Sequence, residues 1–247
     1  MLRTFFSLAK APKDFAFIGA DIHAHLIPGI DDGPADMEAA LNLAGALRDL
    51  GFRRLTATPH SNRRFPNQRA AILDAGTSWR GLALSKYPDI ALSVASEYCL
   101  DETFPYYAGD ESGLLTLHDD GRPVLVEMPF VGAPLTLSQD LFTLRAKGYQ
   151  IVLAHPERYL FMAENAAAYG HLRDQGCLFQ LNLLSFAGYY GAPALRNAHF
   201  LLKKGWADYL ASDAHHERHI AALLHLAQDA QSMRRLSAAS LLNQRFL

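Results

Sequence analysis

Cysteine, excess basic charge and long apolar runs are all scarce in this 247-residue sequence. Its 2 cysteines cannot build a disulfide framework, which indicates a reducing compartment. The 23 lysines and arginines are outnumbered by 25 aspartates and glutamates, so no general attraction to nucleic acid is expected. No apolar run reaches the about 20 residues that span a bilayer, and Lys10 and Lys13 interrupt the amino-terminal apolar residues too early for a signal peptide. We therefore expect a cytoplasmic protein with no transmembrane segment.

Short apolar runs alternate with longer amphipathic ones along the chain. The short runs are nearly continuously apolar, as strands buried on both faces of a parallel sheet are. The alternation predicts a single α/β domain, built as a distorted TIM-like barrel of about seven parallel strands. An open doubly wound sheet is the alternative, but no G-x-G-x-x-G turn follows the first predicted strand. The predicted strands are 15–22, 53–58, 90–96, 124–127, 150–154, 177–181 and 208–211, and the predicted helices are 37–50, 68–84, 137–147, 163–175, 194–204 and 219–230.

Acidic or imidazole side chains follow almost every predicted strand; only the sixth, which ends near Asn182, lacks one. In a parallel barrel all carboxyl ends of the strands open on one face, so these side chains are expected to meet. Such a crowd of ionisable groups away from water is unfavourable without a counter-ion, which divalent cations can supply. The sequence therefore predicts a metal centre. Its candidate ligands at the strand ends are His23, His25, His60, Glu97, Glu127, His155, Asp213 and His215.

The types and spacing of these residues indicate which metal ions they could bind. His23 and His25 point to the same side of an extended segment, so both imidazoles can reach one ion. Asp31 and Asp32 add oxygen ligands from the following loop. Histidine with carboxylate and without cysteine fits Zn, Mn or Fe, and bridging carboxylates allow more than one ion. Each residue alone has a structural explanation, such as a helix cap or a salt bridge, but a metal centre accounts for all of them together.

Short motifs around these residues resemble those of one enzyme family. The Asp-Asp-Gly-Pro and His-Pro-Glu-Arg-Tyr elements are the most specific of them. The stretches are Asp21-Ile22-His23-Ala24-His25, Asp31-Asp32-Gly33-Pro34, Ala57-Thr58-Pro59-His60, Ser96-Glu97-Tyr98, Val126-Glu127-Met128, Ala154-His155-Pro156-Glu157-Arg158-Tyr159 and Ala211-Ser212-Asp213-Ala214-His215. Together they resemble the PHP (polymerase and histidinol phosphatase) superfamily and, within it, bacterial protein-tyrosine phosphatases of the CpsB/YwqE type, which serve capsule and exopolysaccharide synthesis.

The resemblance implies a distorted barrel that holds two or three divalent ions among Mn, Fe, Zn and Mg, with Mn favoured. It implies that Arg158 binds phosphate, and Arg218 is the nearest match to a second family arginine. His60 or His215 could also donate a proton. The implied ligand sets are His23, His25, Glu97 and Asp213 for one ion, Glu97, Glu127 and His155 for a second, and Asp32, His60 and His215 for a third.

The implied reaction is hydrolysis of protein phosphotyrosine, on the autophosphorylated tail of a membrane-associated bacterial tyrosine kinase. Arg63, Arg64 and Arg69 could form a basic rim for that tail. The metal ligands alone leave other functions open: a phosphatase for a small molecule such as histidinol phosphate, a nucleic-acid phosphodiesterase, or a scaffold that binds the kinase without turnover.

The amino terminus departs from the family pattern, in which the first motif usually begins near residue 1. Here about twenty residues precede Asp21. We therefore expect residues 19–247 to form the phosphatase domain and residues 1–18 to form an extension. A tail, an added strand and a contact within a homo-oligomer are the interpretations of that extension.

Overall fold

The computed structural model describes residues 11–118 and 120–247, and the expectations for residues 1–10 lie outside them. Strands and helices alternate through the described chain, and every ladder between strands is parallel. The strands are β1 (Ala20–Ala24), β2 (Arg54–Ala57), β3 (His60–Ser61), β4 (Ala91–Val94), β5 (Glu97–Cys99), β6 (Pro123–Glu127), β7 (Gln150–Ala154), β8 (Leu178–Asn182) and β9 (Tyr209–Ala211). The helices are α1 (Met37–Asp49), α2 (Arg69–Lys86), α3 (Phe104–Ala108), α4 (Leu137–Ala146), α5 (Ala166–Asp174), α6 (Leu183–Phe186), α7 (Gly191–Lys203), α8 (Glu217–Gln228) and α9 (Ala230–Ser237), and 3₁₀ turns occupy Pro156–Arg158, Leu160–Met162 and Asn243–Phe246.

Two of the predicted strands are each followed by a short further strand that was not predicted. The segment 53–58 is followed after a break by β3, and 90–96 by β5, so the strands form one sheet β1-β2-β4 and a second sheet β3-β5-β6-β7-β8-β9. Pro59 causes the first break because it has no N–H to give to a ladder. At the second break the Ser96 hydroxyl donates to the Pro59 carbonyl at 2.9 Å. When β2 is counted with β3 and β4 with β5, the described residues contain the seven parallel strands expected of the α/β fold.

The first predicted strand begins later than expected. Ile18 N–H donates to the Phe15 carbonyl at 2.8 Å, which makes a turn before β1. The Phe15 ring stacks on Phe52 at 5.8 Å, and both rings are fully buried. An apolar run alone does not distinguish a buried turn from a strand, which explains the difference.

Alternate residues of the strands face two different apolar clusters. One cluster packs the strands against the helices. A smaller one gathers strand residues of the opposite parity, including Ile22, Leu125, Val152 and Tyr209, with Phe246 from the carboxyl terminus. Among the described residues, no helix has the length and apolar character needed to cross a membrane.

The first and last strands are joined at both of their ends. At the carboxyl ends, Asp213 N–H donates to the His23 carbonyl at 2.8 Å, and His25 N–H donates to the Ala214 carbonyl at 2.9 Å. At the amino ends, the buried side-chain amide of Asn243 connects the two strands by hydrogen bonds to their main chains. Its Nδ2 donates to the Ala20 carbonyl at 2.8 Å and its Oδ1 accepts from Leu210 N–H at 3.1 Å.

Replacing Asn243 with Ala should therefore destabilise the fold. The change leaves buried main-chain groups of β1 and β9 without partners, each of which costs about 1–3 kcal/mol. We expect Asn243→Ala to lower the free energy of unfolding in urea by about 2–4 kcal/mol. The neighbouring Gln244 is exposed, and Gln244→Ala should change this free energy by less than about 0.5 kcal/mol. If the two substitutions lowered the free energy of unfolding equally, the hydrogen bonds of Asn243 to β1 and β9 would not be what stabilises the fold.

Candidate metal centre

The predicted ligands converge at the carboxyl ends of the strands. Each of them except Asp31 belongs to at least one group whose ligand atoms all lie within 4.8 Å of one another. Most are buried, while His60 and His215 are partly buried and Asp32 is exposed. The groups are His25, Asp32, His60 and His215; His23, His155 and Asp213; His23, His25 and Glu97; and His60, Glu97 and Glu127.

Glu97, the first residue of β5, lies at the centre of this cluster. Its Oε1 is 3.0 Å from His155 Nε2 and 3.4 Å from His23 Nε2. Its Oε2 is 2.9 Å from His60 Nδ1 and 3.6 Å from His25 Nε2. One buried carboxylate thus faces four imidazoles, two with each oxygen, which is the arrangement expected of a carboxylate that bridges ions.

Asp213 completes the first implied ligand set from the opposite side. Its Oδ1 lies 3.3 Å from His23 Nε2 and 3.5 Å from His25 Nε2. Asp213 and His155 both adopt left-handed backbone conformations, with φ of 51° and 36°. Such conformations cost energy in residues other than glycine and are concentrated at functional sites, where they orient a side chain.

His60, which the resemblance assigns only to the third set, belongs to two of the observed groups. Its Nδ1 is 3.4 Å from Glu127 Oε1, and its Nε2 is 3.5 Å from Asp32 Oδ1. His215 Nε2 is 3.4 Å from the same Asp32 oxygen, while His155 Nε2 is 3.9 Å from Glu127. Because a neutral imidazole has one lone pair, His60 can serve one set at a time.

Two of the buried nitrogen and oxygen atoms of the cluster lack hydrogen-bond partners and are available to bind a divalent cation. His60 Nδ1 and Glu97 Oε2 are buried and 2.9 Å apart, yet neither has a hydrogen-bond partner among the described residues. Buried polar atoms without partners are costly, and a bound cation would satisfy both of these. Nitrogen and carboxylate donors without thiolate suit Zn, Mn, Fe or Mg.

The imidazoles of the cluster favour the ionised form of its carboxylates even before an ion binds. Burial raises the pKa of the Glu97 carboxyl, but the His23 and His60 imidazoles outweigh it and hold the pKa well below its usual range. Burial likewise raises the pKa of Asp213, and the imidazoles and Arg158 more than reverse that effect. The pKa of His25 lies well above its usual value, because nearby carboxylates outweigh burial. The carboxylates are therefore available in the ionised form that binds metal.

An amide and a carboxylate side chain outside the metal-ligand groups orient the imidazoles, and the carboxylate is Asp31, which the sequence predicted as a ligand. Gln180 Oε1 lies 2.9 Å from His23 Nδ1, and Asp31 Oδ2 lies 2.7 Å from His25 Nδ1. Asp31 thus contacts a histidine and is not a member of the metal-ligand groups. Such contacts fix which ring nitrogen faces an ion. Asn182, at the end of the one strand that lacks a predicted ligand, donates to Asp213 Oδ2 at 2.7 Å.

Arg158 is held over this cluster by three partners. Its Nη1 donates to Asp213 Oδ2 at 3.0 Å. Its guanidinium carbon lies 4.0 Å from the centre of the Tyr190 ring and 4.6 Å from that of Phe130. Sequence reasoning did not identify these two aromatic residues, since neither belongs to a motif. These two cation–π contacts and the hydrogen bond to Asp213 restrict the orientation of the guanidinium.

The structure places the second predicted arginine elsewhere. Arg218 is exposed on the first turn of α8 and does not line the cavity that contains Arg158. From the same turn, His219 accepts the His215 N–H at 3.1 Å, and burial lowers its pKa to about 3. His219 is thus a neutral support for the His215 backbone.

A cavity of about 360 Å³ opens directly above the cluster. This volume admits a phosphate group with part of the molecule that carries it. Candidate metal ligands, Arg158 and aromatic side chains share its wall. The lining residues are Asp32, His60, Glu127, Phe130, His155, Arg158, Tyr190, Asp213, His215, His216 and His219.

Parallel strands that deliver buried histidines and carboxylates to one open end define an α/β protein of the metal-dependent hydrolase class. Residues 19–238 match the family described as capsular polysaccharide synthesis, CpsB/CapC. The chain belongs to this family, and the family resemblance expected from the motifs is confirmed.

Individual relatives agree with this membership. The chain is 32% identical over 200 residues to the tyrosine-protein phosphatase YwqE of Bacillus subtilis, which covers 79% of this chain and 76% of YwqE. It also matches a crystal structure of the metal-dependent tyrosine phosphatases YwqE from Bacillus subtilis and CpsB from Streptococcus pneumoniae, with a TM-score of 0.76 and 25% identity over 92% of this chain and 94% of that one. A phosphotriesterase homology protein from Escherichia coli, at a TM-score of 0.51 and 15% identity over 92% and 94% of the two chains, shares the fold alone.

Metal binding should stabilise the folded protein through Glu97. A ligand at one hundred times its dissociation constant adds about 2.7 kcal/mol, which for a chain of this size raises Tm by about 5–10 °C. We expect Mn²⁺ or Zn²⁺ to raise the Tm of the chelator-treated protein by that amount, and Glu97→Gln to remove most of the rise. Glu111→Gln changes an exposed loop carboxylate and should leave the rise intact. A full rise in Glu97→Gln would exclude Glu97 as a ligand.

Proposed function

We propose that this protein is a metal-dependent phosphatase that hydrolyses phosphotyrosine on a protein substrate. The observation that carries the proposal is the position of Arg158, fixed in one plane on the wall of the cavity next to the histidine and carboxylate cluster. A planar guanidinium binds phosphate oxygens with two parallel hydrogen bonds. The names of the relatives YwqE and CpsB as tyrosine phosphatases support the substrate class.

The ligand sets implied by the resemblance divide the cluster among two or three ions, with manganese the favoured metal. Glu97 would bridge, with His23, His25 and Asp213 on one side and Glu127 and His155 on the other. Asp32, His60 and His215 would form the third set. When bound, divalent ions supply Lewis-acid activation of water and neutralise phosphate charge.

The residues of the cavity divide the remaining work. Arg158 binds and orients the phosphate group. His60 and His215 each keep about 14% of the side chain exposed and line the cavity, so either can donate a proton to the departing oxygen when its nitrogen is free. A phenol has a pKa of about 10, so its leaving oxygen needs less protonation than an alcohol does. Aryl phosphates are thus the easier substrates for this site.

A cysteine nucleophile does not fit this chain. Cys99 and Cys177 are both buried, and burial raises the pKa of both thiols, that of Cys177 to about 12. Neither begins the Cys-x5-Arg loop of cysteine phosphatases. A thiol with a raised pKa is a poor nucleophile at neutral pH, so the histidine and carboxylate cluster is the better candidate for the reaction centre.

The proposal is tested by turnover of the metal-loaded protein on a phosphotyrosine peptide, histidinol phosphate and single-stranded DNA. We expect hydrolysis of the peptide in preference to the other two, and loss of at least about 100-fold of the rate after chelation. Preference for histidinol phosphate or DNA would assign the other PHP activities, and full activity without metal would contradict the proposal. Binding of a kinase with no turnover would support the scaffold alternative instead.

Arg158→Lys isolates the phosphate contact in the same assay. Lysine keeps the charge but loses the planar fork and its stacking, so we expect kcat/KM on the peptide to fall about 100-fold. Arg173→Lys is the matched control, because Arg173 also pairs with an aspartate, the partly buried Asp208, and lies over an aromatic ring, Phe179, outside the cavity. If the two variants lose activity equally, the effect is one of stability and Arg158 has no part in binding phosphate.

The proposed partner is the phosphotyrosine tail of a membrane-associated tyrosine kinase, presented in the cytoplasm. Of the arginines in the predicted rim, Arg63 pairs with Glu102 at 2.9 Å and Arg69 donates to the Gly113 carbonyl. Arg64 instead lies over the Phe65 ring at 4.9 Å, and that ring stacks on His60 at 5.9 Å. Arg64 is thus the rim arginine best placed to meet an acidic peptide that enters the cavity.

Reversing the charge at Arg64 should affect the peptide more than a small substrate. Electrostatic attraction to an acidic tail acts over the whole peptide, whereas an isolated aryl phosphate uses the cavity alone. We expect Arg64→Glu to raise KM for an acidic phosphotyrosine peptide about fivefold or more at low salt, and KM for phenyl phosphate less than twofold. Arg80→Glu, on the exposed face of α2, is the control. A uniform rise in KM for both substrates would remove the rim from the proposal.

A further inference from the structure

Phe130 exposes an aromatic ring inside the cavity, where a soluble protein would normally place a polar residue. The side chain is 47% exposed and lines the same cavity as Arg158 and His155. Exposed large aromatic residues next to convergent polar groups are typical of ligand sites. The ring is not needed to fill the protein core, so its position calls for a functional explanation.

The position of this ring is set by the structure beneath it. Phe130 follows β6 and Pro129, whose ring restricts the backbone. Just before it, Met128 N–H donates to the Tyr159 hydroxyl at 2.8 Å, and that hydroxyl donates to the Ala154 carbonyl at 3.1 Å. The loop is therefore tied to the end of β7, beside the His155 ligand position.

Phe130 stacks on groups that belong to the reaction centre. Its ring centre lies 5.6 Å from that of His155 at 24°, and 4.6 Å from the Arg158 guanidinium carbon. A phosphate held by Arg158 has its ester oxygen within a few ångströms of the guanidinium, so the organic group on that oxygen lies within contact distance of Phe130. The exposed part of the ring is the surface that this group would meet.

The other aromatic residues near the site are less suited to that contact. Tyr190, whose ring also contacts the Arg158 guanidinium, is half-buried, and its hydroxyl lies 3.4 Å from both Asp213 Oδ2 and Asn182 Nδ2. Phe65 stacks on His60 but does not line the cavity. Phe130 is thus the aromatic wall residue with a free surface toward the ester group.

We infer that Phe130 is a specificity-determining residue that favours aryl over alkyl phosphates by packing against the aromatic ring of the substrate. The inference rests on the proposed phosphotyrosine phosphatase function and goes beyond it, because it adds a contribution from binding, made by one side chain, to the preference that the leaving-group pKa already gives. Aromatic pairs gain from both buried area and ring electrostatics, and a leucine of similar size keeps only part of the first.

Binding of two non-hydrolysable phosphonates to the metal-loaded protein tests this without requiring turnover. Calorimetry gives the Kd of phenylphosphonate, which carries the ring, and of methylphosphonate, which does not. We expect Phe130→Leu to weaken phenylphosphonate about tenfold and methylphosphonate less than twofold, and Phe130→Tyr to restore the preference. Phe161→Leu is the matched control. Phe161 is 42% exposed and contacts the Tyr159 ring, as Phe130 does, but it lies outside the cavity.

The outcomes separate this inference from the proposed function. If Phe130→Leu weakens both phosphonates equally, the ring acts only by holding Arg158, and the inference is wrong even though the enzyme is a phosphatase. If phenylphosphonate binds all variants alike, the ring has no contact with the substrate, and the inference is again wrong. Failure of the wild-type protein to hydrolyse a phosphotyrosine peptide would instead overturn the proposed function, whatever the binding data show.

Discussion

The structure depends on keeping the Glu97 carboxylate ionised while it is fully buried. Removing a carboxylate from water costs several kcal/mol unless opposite charge surrounds it. Four imidazoles meet its two oxygens: His23 and His25 come from the end of β1, His60 from β3 and His155 from the end of β7. Every strand that delivers one of those imidazoles must therefore end at the same depth. The parallel arrangement of the strands meets this requirement, because it brings all of their carboxyl ends to one face.

The breaks between β2 and β3 and between β4 and β5 also help to place imidazoles around Glu97. β3 and β5 pair so that His60 lies directly opposite Glu97. An uninterrupted second strand would have continued beside β1, away from the sheet to which Glu97 belongs. Pro59 ends the first ladder, and the Ser96 hydroxyl satisfies the Pro59 carbonyl at the point where the second begins. A local loss of regular pairing thus positions two candidate ligands of the metal centre.

The sequence allowed the ligands to be predicted because their signal is local: a histidine or carboxylate directly after an apolar run. The supporting residues carry no such signal. Gln180 lies within a buried strand, where a polar residue has many explanations, and its contact with His23 spans 157 residues. Asn243 meets Ala20 across 223 residues, so no pattern near either one indicates the contact. The late start of β1 was missed for a related reason, since burial of Phe15 in a turn and in a strand requires the same apolar residue.

The aromatic contacts explain how a site that is rich in charge can also select its substrate. A guanidinium that moves freely loses entropy when it binds phosphate, whereas one already in contact with two rings loses less. Phe130 and Tyr190 hold Arg158 in this way, and Asp213 fixes its remaining freedom. The aspartate is also a candidate metal ligand, so the arginine and the metal centre share one side chain and keep a constant separation. Under the proposed function, a phosphate that contacts both Arg158 and the metal centre has its ester group oriented by them, and the inferred role of Phe130 depends on that orientation.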